Sequence, residues 1–530
     1  MGYLPIKQTS LKAITLITGN GCPYEVDGSD DIDLSQFRAL QRISWIGLQS
    51  DLYFQALRHA LEINSRHLTH LRLEYVSKPS DYWFRQYDDS NDDDSDDDDS
   101  DDDDIDDYAN SSRDQGVYYH NFFARVGLGL KRSAVSLDVM FTSLSSLSLA
   151  FIPLKNAEKA LVHALNISGL RHLTLRECPG MGDFLEAVVA SGQMLSLLSF
   201  EYNCGPLDED IECEALEDIF RIATNLTDIF LSLPGPTRTL ENWRALARSK
   251  LPITRFVYHQ RTVNIDDRSS RYEEEEDLDD LSLLPEDMDE LETAGEQHPF
   301  AKLNLACLGL GAAPQNIKWI LRSPITTKSL KLLHIRKSGS DMIGSIETRG
   351  NLFKHSGLML DSEDENDYAM VIDSDEDLED DIETHMSRHS ALPDMARDSL
   401  FLRPASPESV SSTCDAEAEA DFEALDELCK LPSNVMDFCH WAFGADGIPS
   451  LQVLAYGDFS FEDRFSSENI IICRETWTTP KWESNTGEAE EVTLTFRPIR
   501  DSHIKMKELV DENMHFLGAC PVESILVKSQ

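Results

Sequence analysis

The residues best suited to chemistry in this chain are bases and imidazoles that recur beside short apolar strings. Arg42, Arg72, Arg176, Arg255, Lys302 and Arg336 each adjoin an apolar residue of a repeated pattern, with His70, His172, His259 and His334 close by. A guanidinium presents paired N–H donors in a fixed fork, which suits bidentate contact with a carboxylate or a phosphate. The chemistry on offer is therefore recognition of an acidic or phosphorylated peptide rather than bond making. Signatures of catalysis are missing: no Walker A loop, nucleophile elbow, HExxH or kinase set occurs. Gly19-Asn20-Gly21 is a lone GxG and reads as a turn. His385 and His389 have the spacing of a helical metal pair, but they lie in a low-complexity acid stretch. The ten cysteines include no CxxC pair, so zinc and redox spacings are absent and reduced thiols are expected. No catalytic residue, metal or cofactor is assigned, and an enzyme is not expected.

The elements that must position these bases are set by the pattern itself: apolar, two residues, apolar, one residue, apolar. It starts at Leu11, Leu40, Leu68, Leu144, Leu170, Leu195, Leu226, Ile253, Phe300, Leu330 and Leu451. Two of the units read Leu195-x-x-Leu198-x-Phe200 and Phe300-x-x-Leu303-x-Leu305. Most starts are 25 to 31 residues apart, and the three longer gaps contain acid-rich blocks. The alternation predicts a short strand with one face buried. Helical spacing follows between units, as in Phe54, Leu57 and Leu61, or Ala157, Leu161 and Leu165. Leu216, Ile219, Phe220 and Ala223 repeat it, as do Leu240, Trp243 and Leu246. One strand and one helix cannot bury a core alone, but stacked units share a continuous one. Strand side chains change face at every step. The bases above, with the acids Glu74, Glu201 and Asp228, therefore line the face opposite the buried residues.

The string LRHLTLRECPGMGD, Leu170 to Asp183, reads L-x-x-L-x-L-x-x-C, followed by Pro179, Met181 and Asp183. It resembles the cysteine-containing leucine-rich repeats common in F-box proteins, and Leu195 to Asn203 fits the form that ends in Asn. The resemblance covers most of the chain outside the acid blocks. It implies an α/β leucine-rich-repeat solenoid, a horseshoe with a parallel sheet on its concave face and helices outside. The string ENMHFLGACPVESI is similar to the closing segment of many fungal F-box and leucine-rich-repeat chains. The F-box itself is not found, because the repeats begin by Leu11. Leu431-Pro432-Ser433-Asn434-Val435-Met436 resembles an F-box start, yet it precedes the Leu451 strand at the distance of an ordinary repeat helix. The resemblance implies a non-enzymatic protein-recognition scaffold, a relative of substrate receptors in cullin-based ubiquitin ligation. Its partners would be proteins, with a cullin-ligase adaptor among them where an F-box lies upstream.

Charge organises the rest of the chain. Its 47 bases and 96 acids give a net charge of −49. Residues 88–107 hold 15 Asp, residues 266–297 hold 15 acids and residues 361–427 hold 23, so these blocks account for nearly all of the excess. Such runs repel themselves and bury little. Disordered acidic insertions are expected at 80–115, 264–298 and 340–430, dividing repeat-bearing parts at 1–79, 116–263, 299–339 and 431–530. Ser90, Ser95, Ser100, Ser362 and Ser374 precede acids, the context acid-directed kinases prefer. The acidic balance argues against direct binding of nucleic acid or an anionic membrane. It supports an alternative function: an acidic nuclear regulator or chaperone of basic proteins such as histones. No apolar run approaches the roughly 20 residues of a membrane helix, and the N-terminus lacks the features of a secretory leader. A monomer in the cytoplasm, the nucleus or both is expected.

Overall fold

A computed structural model describes residues 10–18, 32–48, 51–75, 123–130, 139–204, 213–234, 239–261, 283, 285–322, 327–337, 421, 424–425, 427–460, 466, 469–480 and 491–521. The blocks at 80–115 and 361–420, with Ser90, Ser95, Ser100, Ser362, Ser374, His385 and His389, lie outside the described residues, as does Gly19-Asn20-Gly21.

The fold is α/β. Thirteen strands form one open sheet in chain order. They are β1 (Ala13–Ile17), β2 (Arg42–Leu48), β3 (His70–Tyr75), β4 (Ser146–Ala150), β5 (His172–Arg176), β6 (Ser199–Asn203), β7 (Asp228–Pro234), β8 (Arg255–Arg261), β9 (Cys307–Leu310), β10 (Leu332–Arg336), β11 (Val453–Gly457), β12 (Ile470–Pro480) and β13 (Glu491–Pro498). Neighbours from β1 to β11 run parallel, whereas β12 and β13 close the sheet antiparallel. The connections carry α1 (Asp51–Asn64), α2 (Glu158–Ala164), α3 (Met181–Ala190), α4 (Cys213–Ile222), α5 (Thr239–Ser249), α6 (Pro285–Thr293), α7 (Pro314–Leu321) and α8 (Ser433–Phe443). Alternation explains why these strands stack in register. Leu71, Leu147, Leu173, Phe200, Ile229, Phe256, Leu308, Leu333 and Leu454 pair each with the next across the sheet. All are at most 1% exposed and share one core with Leu57, Leu161, Leu185, Ile219, Trp243, Ile317 and Cys439 of the helices. No unit buries its apolar strip without the next, so the core is continuous along the described chain.

Two units are corrected in phase. In β6 the buried set is Leu197, Phe200 and Tyr202, two residues later than the expected start, because Phe200 pairs with Leu173. A slip of two keeps the face, so Glu201 stays opposite the core ladder. The unit expected at Phe300 starts instead at Leu305, and its strand is β9. Pro299 and the His298 side chain, which accepts the Phe300 N–H, begin a 3₁₀ turn at Pro299–Lys302. Lys302 ends that turn, away from the strand, and the positions it was to represent belong to Cys307, Gly309 and Gly311. The insertion expected at 264–298 is corrected at its end. There α6 buries Leu291, and its acids find partners: Glu290 pairs with Arg244, and Glu292 with Arg322. Likewise, within 340–430, Ala424 and Leu428 join the core. The stretch from Leu431 to Met436 leads into α8, which buries Val435, Phe438 and Cys439.

Gly457 ends β11 with φ +126°, a conformation L side chains rarely adopt. A Cβ there would stand 2.2 Å from Asn469 Oδ1. That oxygen accepts the Asp458 N–H at 2.8 Å, while Asn469 Nδ2 donates to Asp458 O at 2.6 Å. Gly457→Ala should therefore strain the backbone and break this clamp, costing about 3 kcal/mol. A urea midpoint unchanged from wild type would refute this.

Candidate functional site

The second face of the sheet carries the residues that alternate with the core ladder, and it has two halves. Over β7 to β11 it carries an apolar centre: Phe230, Val257, Leu332, Val453 and Ala455 are each at most 3% exposed. Residues 504–521 cover it, through α9 (Ile504–Glu512) and α10 (Met514–Leu517). Together with Val510, Phe516, Leu517, Ala519 and Cys520 these strand residues make a second, smaller core. Phe516 packs edge-on against Phe230 at 6.4 Å and His334 at 6.3 Å. Gly309 permits this approach, since a Cβ there would meet Phe516 at 3.4 Å and Val257 at 3.1 Å.

Polar contacts fasten the segment at both ends. Arg336 Nη2 donates to Ala519 O at 2.6 Å and to Cys520 O at 3.0 Å, and Nη1 reaches Leu517 O at 3.5 Å. Asn203 Nδ2 donates to Pro521 O at 2.7 Å, and Cys520 N donates to Glu201 Oε1 at 2.8 Å. Arg255 bridges Asp228 Oδ1 at 3.0 Å and Asn513 Oδ1 at 2.8 Å. His515 approaches Asp228 at 3.7 Å. Burial works to raise the Asp228 carboxyl, but the nearby His515 and the hydrogen-bonded Arg255 outweigh it and hold the carboxyl below its ordinary range.

Over β2 to β5 the same face is open and polar. Arg42, His70, Arg72 and His172 are exposed, with Ser44, Ser146, Ser148 and Thr174 half-buried between them. Arg72 lies 3.7 Å from Glu74. Burial depresses the Arg72 guanidinium, and the charge of Arg176 adds to the effect. Burial also lowers both His70 and His172, so the standing cations are guanidiniums. Arg176 marks the boundary. Its Nε donates to Glu201 Oε1 at 2.7 Å and its Nη2 to Glu201 Oε2 at 3.0 Å. Desolvation opposes the Arg176 charge, but Glu201 prevails and raises it above the ordinary arginine range.

The face expected from alternation is thus divided. Arg42, Arg72, His172 and Arg176 come together on the open half. Arg255 sits at the rim of the covered half, and His259, His334 and Arg336 are buried there, at 1%, 0% and 3% exposed. Lys302 belongs to neither half. Sequence reasoning missed the cover and its anchors Asn203, Asn513 and Phe516. A partial signal was present, because Phe230, Val257, Leu332, Val453 and Ala455 place apolar residues in the second alternating set as well, as in strands buried on both faces, though Asp228, Arg255, His334 and Arg336 interrupt it.

Among the described residues, no group of three or more His, Cys, Asp or Glu could hold a metal ion. Cys178, Cys204, Cys307, Cys439, Cys473 and Cys520 are buried free thiols, and Cys429 is an exposed one. Burial pushes the Cys307 and Cys473 thiols up to about 11 and Cys439 up to about 12, which suppresses the nucleophilic thiolate. No helix among the described residues is long and apolar enough to cross a membrane.

The fold defines an α/β protein with an open, mostly parallel thirteen-stranded sheet, the connecting helices on one face and, on the other, an open polar half beside a half covered by residues 504–521. Compared with protein-family models, curated proteins and solved structures, the chain matches none.

Proposed function

We propose that the chain is a non-enzymatic protein-recognition scaffold of the leucine-rich-repeat type, and that its open half binds an acidic or phosphorylated segment of a partner protein. The observation that carries this reading is the polar surface over β2 to β5. Exposed Arg42 and Arg72, with Arg176 at the rim, flank a floor of small hydroxyls. Guanidiniums match carboxylate and phosphate oxygens, and hydroxyls complete their hydrogen bonding. A sheet-built floor spanning several strands suits an extended peptide more than a small substrate. Within this reading, the finer assignment is a substrate-receptor relative in cullin-based ubiquitin ligation. The net charge of −49 favours a second reading, an acidic nuclear regulator or chaperone that binds basic proteins. A pull-down with the full chain separates the two. Cullin-ligase adaptors among the partners support the first, and histones or ribosomal proteins support the second.

The site itself is tested with a fluorescein-labelled decapeptide carrying one phosphoserine among glutamates, followed by anisotropy. Wild type should bind it, and more weakly as salt rises. Arg72→Glu should weaken binding by about tenfold to a hundredfold, the loss of one charge-assisted bidentate contact. Equal binding by the variant, or no binding by wild type, would exclude the open half as the recognition surface.

A further inference from the structure

We infer that the C-terminal segment and the open half are coupled through Glu201, so that lifting the segment frees Arg176 for the ligand and ligand binding in turn loosens the segment. This rests on the reading of the open half as an anion-recognising surface. Two groups share one carboxylate through three hydrogen bonds. Arg176 holds both Glu201 oxygens, at 2.7 and 3.0 Å, and Oε1 also accepts the Cys520 N–H at 2.8 Å. Glu201 is 5% exposed. While the segment is docked, an anion that drew Arg176 away would leave a buried carboxylate with a single donor, and an unpaired buried charge is strongly unfavourable. The docked state therefore offers a ligand Arg42 and Arg72 but withholds Arg176. Once residues 519–521 lift, water reaches Glu201 and its ion pair weakens towards that of an exposed pair. Arg176 then becomes available beside Arg72, close enough that its charge already depresses the Arg72 guanidinium. Because binding linkage is reciprocal, the ligand must oppose docking by the same factor.

The segment is built to lift without unfolding the sheet. Of α9 only Val510 is buried, while Ile504 and Met514 stand 65% and 42% exposed. Its apolar contacts form a cluster separate from the main core. Its anchors are mostly side chains gripping its main-chain carbonyls, at Leu517, Ala519, Cys520 and Pro521.

The test uses the full chain and the same phosphoserine decapeptide. Phe516→Ala removes the apolar plug, whose ring meets Phe230, His334 and Gly309 and not the open half. The variant should bind the peptide about fivefold to tenfold more tightly than wild type, within the usual range of coupling between sites. Adding Arg176→Lys should abolish that gain. Saturating peptide should also accelerate amide exchange across residues 514–521 of wild type. Equal affinities for wild type and Phe516→Ala, with exchange of 514–521 already faster in the variant, overturn the coupling and leave the recognition reading standing. Binding by neither chain overturns both. Should Phe516→Ala lose its cooperative urea transition, exchange in wild type decides: unchanged protection of 514–521 on peptide addition overturns the coupling.

Discussion

Lowering the pH from 7 to 5 should destabilise this fold by about 2 kcal/mol through His298 alone, with His334 adding in the same direction. Both imidazoles are buried, at 3% and 0% exposed. Burial lowers His298 to about 4 and His334 well below its ordinary value, where the neighbouring Arg336 charge adds to the effect. Burial is what holds each neutral. His298 Nδ1 accepts the Phe300 N–H at 3.2 Å and so must be unprotonated, capping the 3₁₀ turn at Pro299–Lys302. His334 donates Nε2–H to Gly457 O at 2.9 Å, which favours the charged form, but burial against the rings of Phe459 and Phe516 outweighs it. The sign follows from which state takes the proton first. The unfolded chain binds protons near pH 6.5 and the folded chain only at lower pH, so stability is complete above about 6.5 and falls as the pH drops below it. The usable window ends near pH 5, because the isoelectric point is about 4.5 and association follows loss of net charge. Urea unfolding at pH 7, 6 and 5 reads the effect. His298→Gln keeps an acceptor for Phe300 N–H and cannot titrate. It should remove about 1.4 kcal/mol per pH unit from the slope below pH 6, and an unchanged slope would show that His298 is not the group responsible.

How far these features were legible in the sequence depends on the range of the contact that creates them. The ladder from Leu71 through Leu147 and Leu173 is written in the period of single strands, and it is present as read. Phase was misread where apolar residues crowd. Leu195, Leu197 and Leu198 offer two settings of one pattern, and only pairing with β5 selects the set containing Leu197 and Phe200. At Phe300 the pattern was satisfied by coincidence. Its ring fills the core against Trp243 at 4.7 Å, but the Pro299 turn prevents a strand. The open half was legible because Arg42, Arg72, His172 and Arg176 owe their direction to alternation alone. Arg336 and His334 also take the expected face, yet their surroundings do not follow from local pattern. Their cover comes from the far end of the chain, Ala519 being 183 positions from Arg336, and no periodicity encodes that approach.

Arg336→Met should cost about 3 kcal/mol of stability and release residues 514–521 from protection. Methionine keeps most of the stem that lies over Gly309, where Arg336 Cδ would touch an added Cβ at 3.5 Å. What it loses is the donor fork. Nη1 and Nη2 together serve three carbonyls, at Leu517, Ala519 and Cys520, and no carboxylate among the described residues pairs with this guanidinium. Without it, three oxygens at the end of α10 face an apolar surface, unless the segment lifts to reach water. Lifting is the cheaper response, so the loss should be local before it is global. Amide exchange across 514–521 should approach that of exposed chain while β7 to β10 stay protected. Arg336→Lys should recover little, because a compact ammonium cannot span three acceptors that a planar fork reaches. Exchange of 514–521 at the wild-type rate in Arg336→Met would mean that the apolar seat of Phe516, and not Arg336, holds the segment on the sheet.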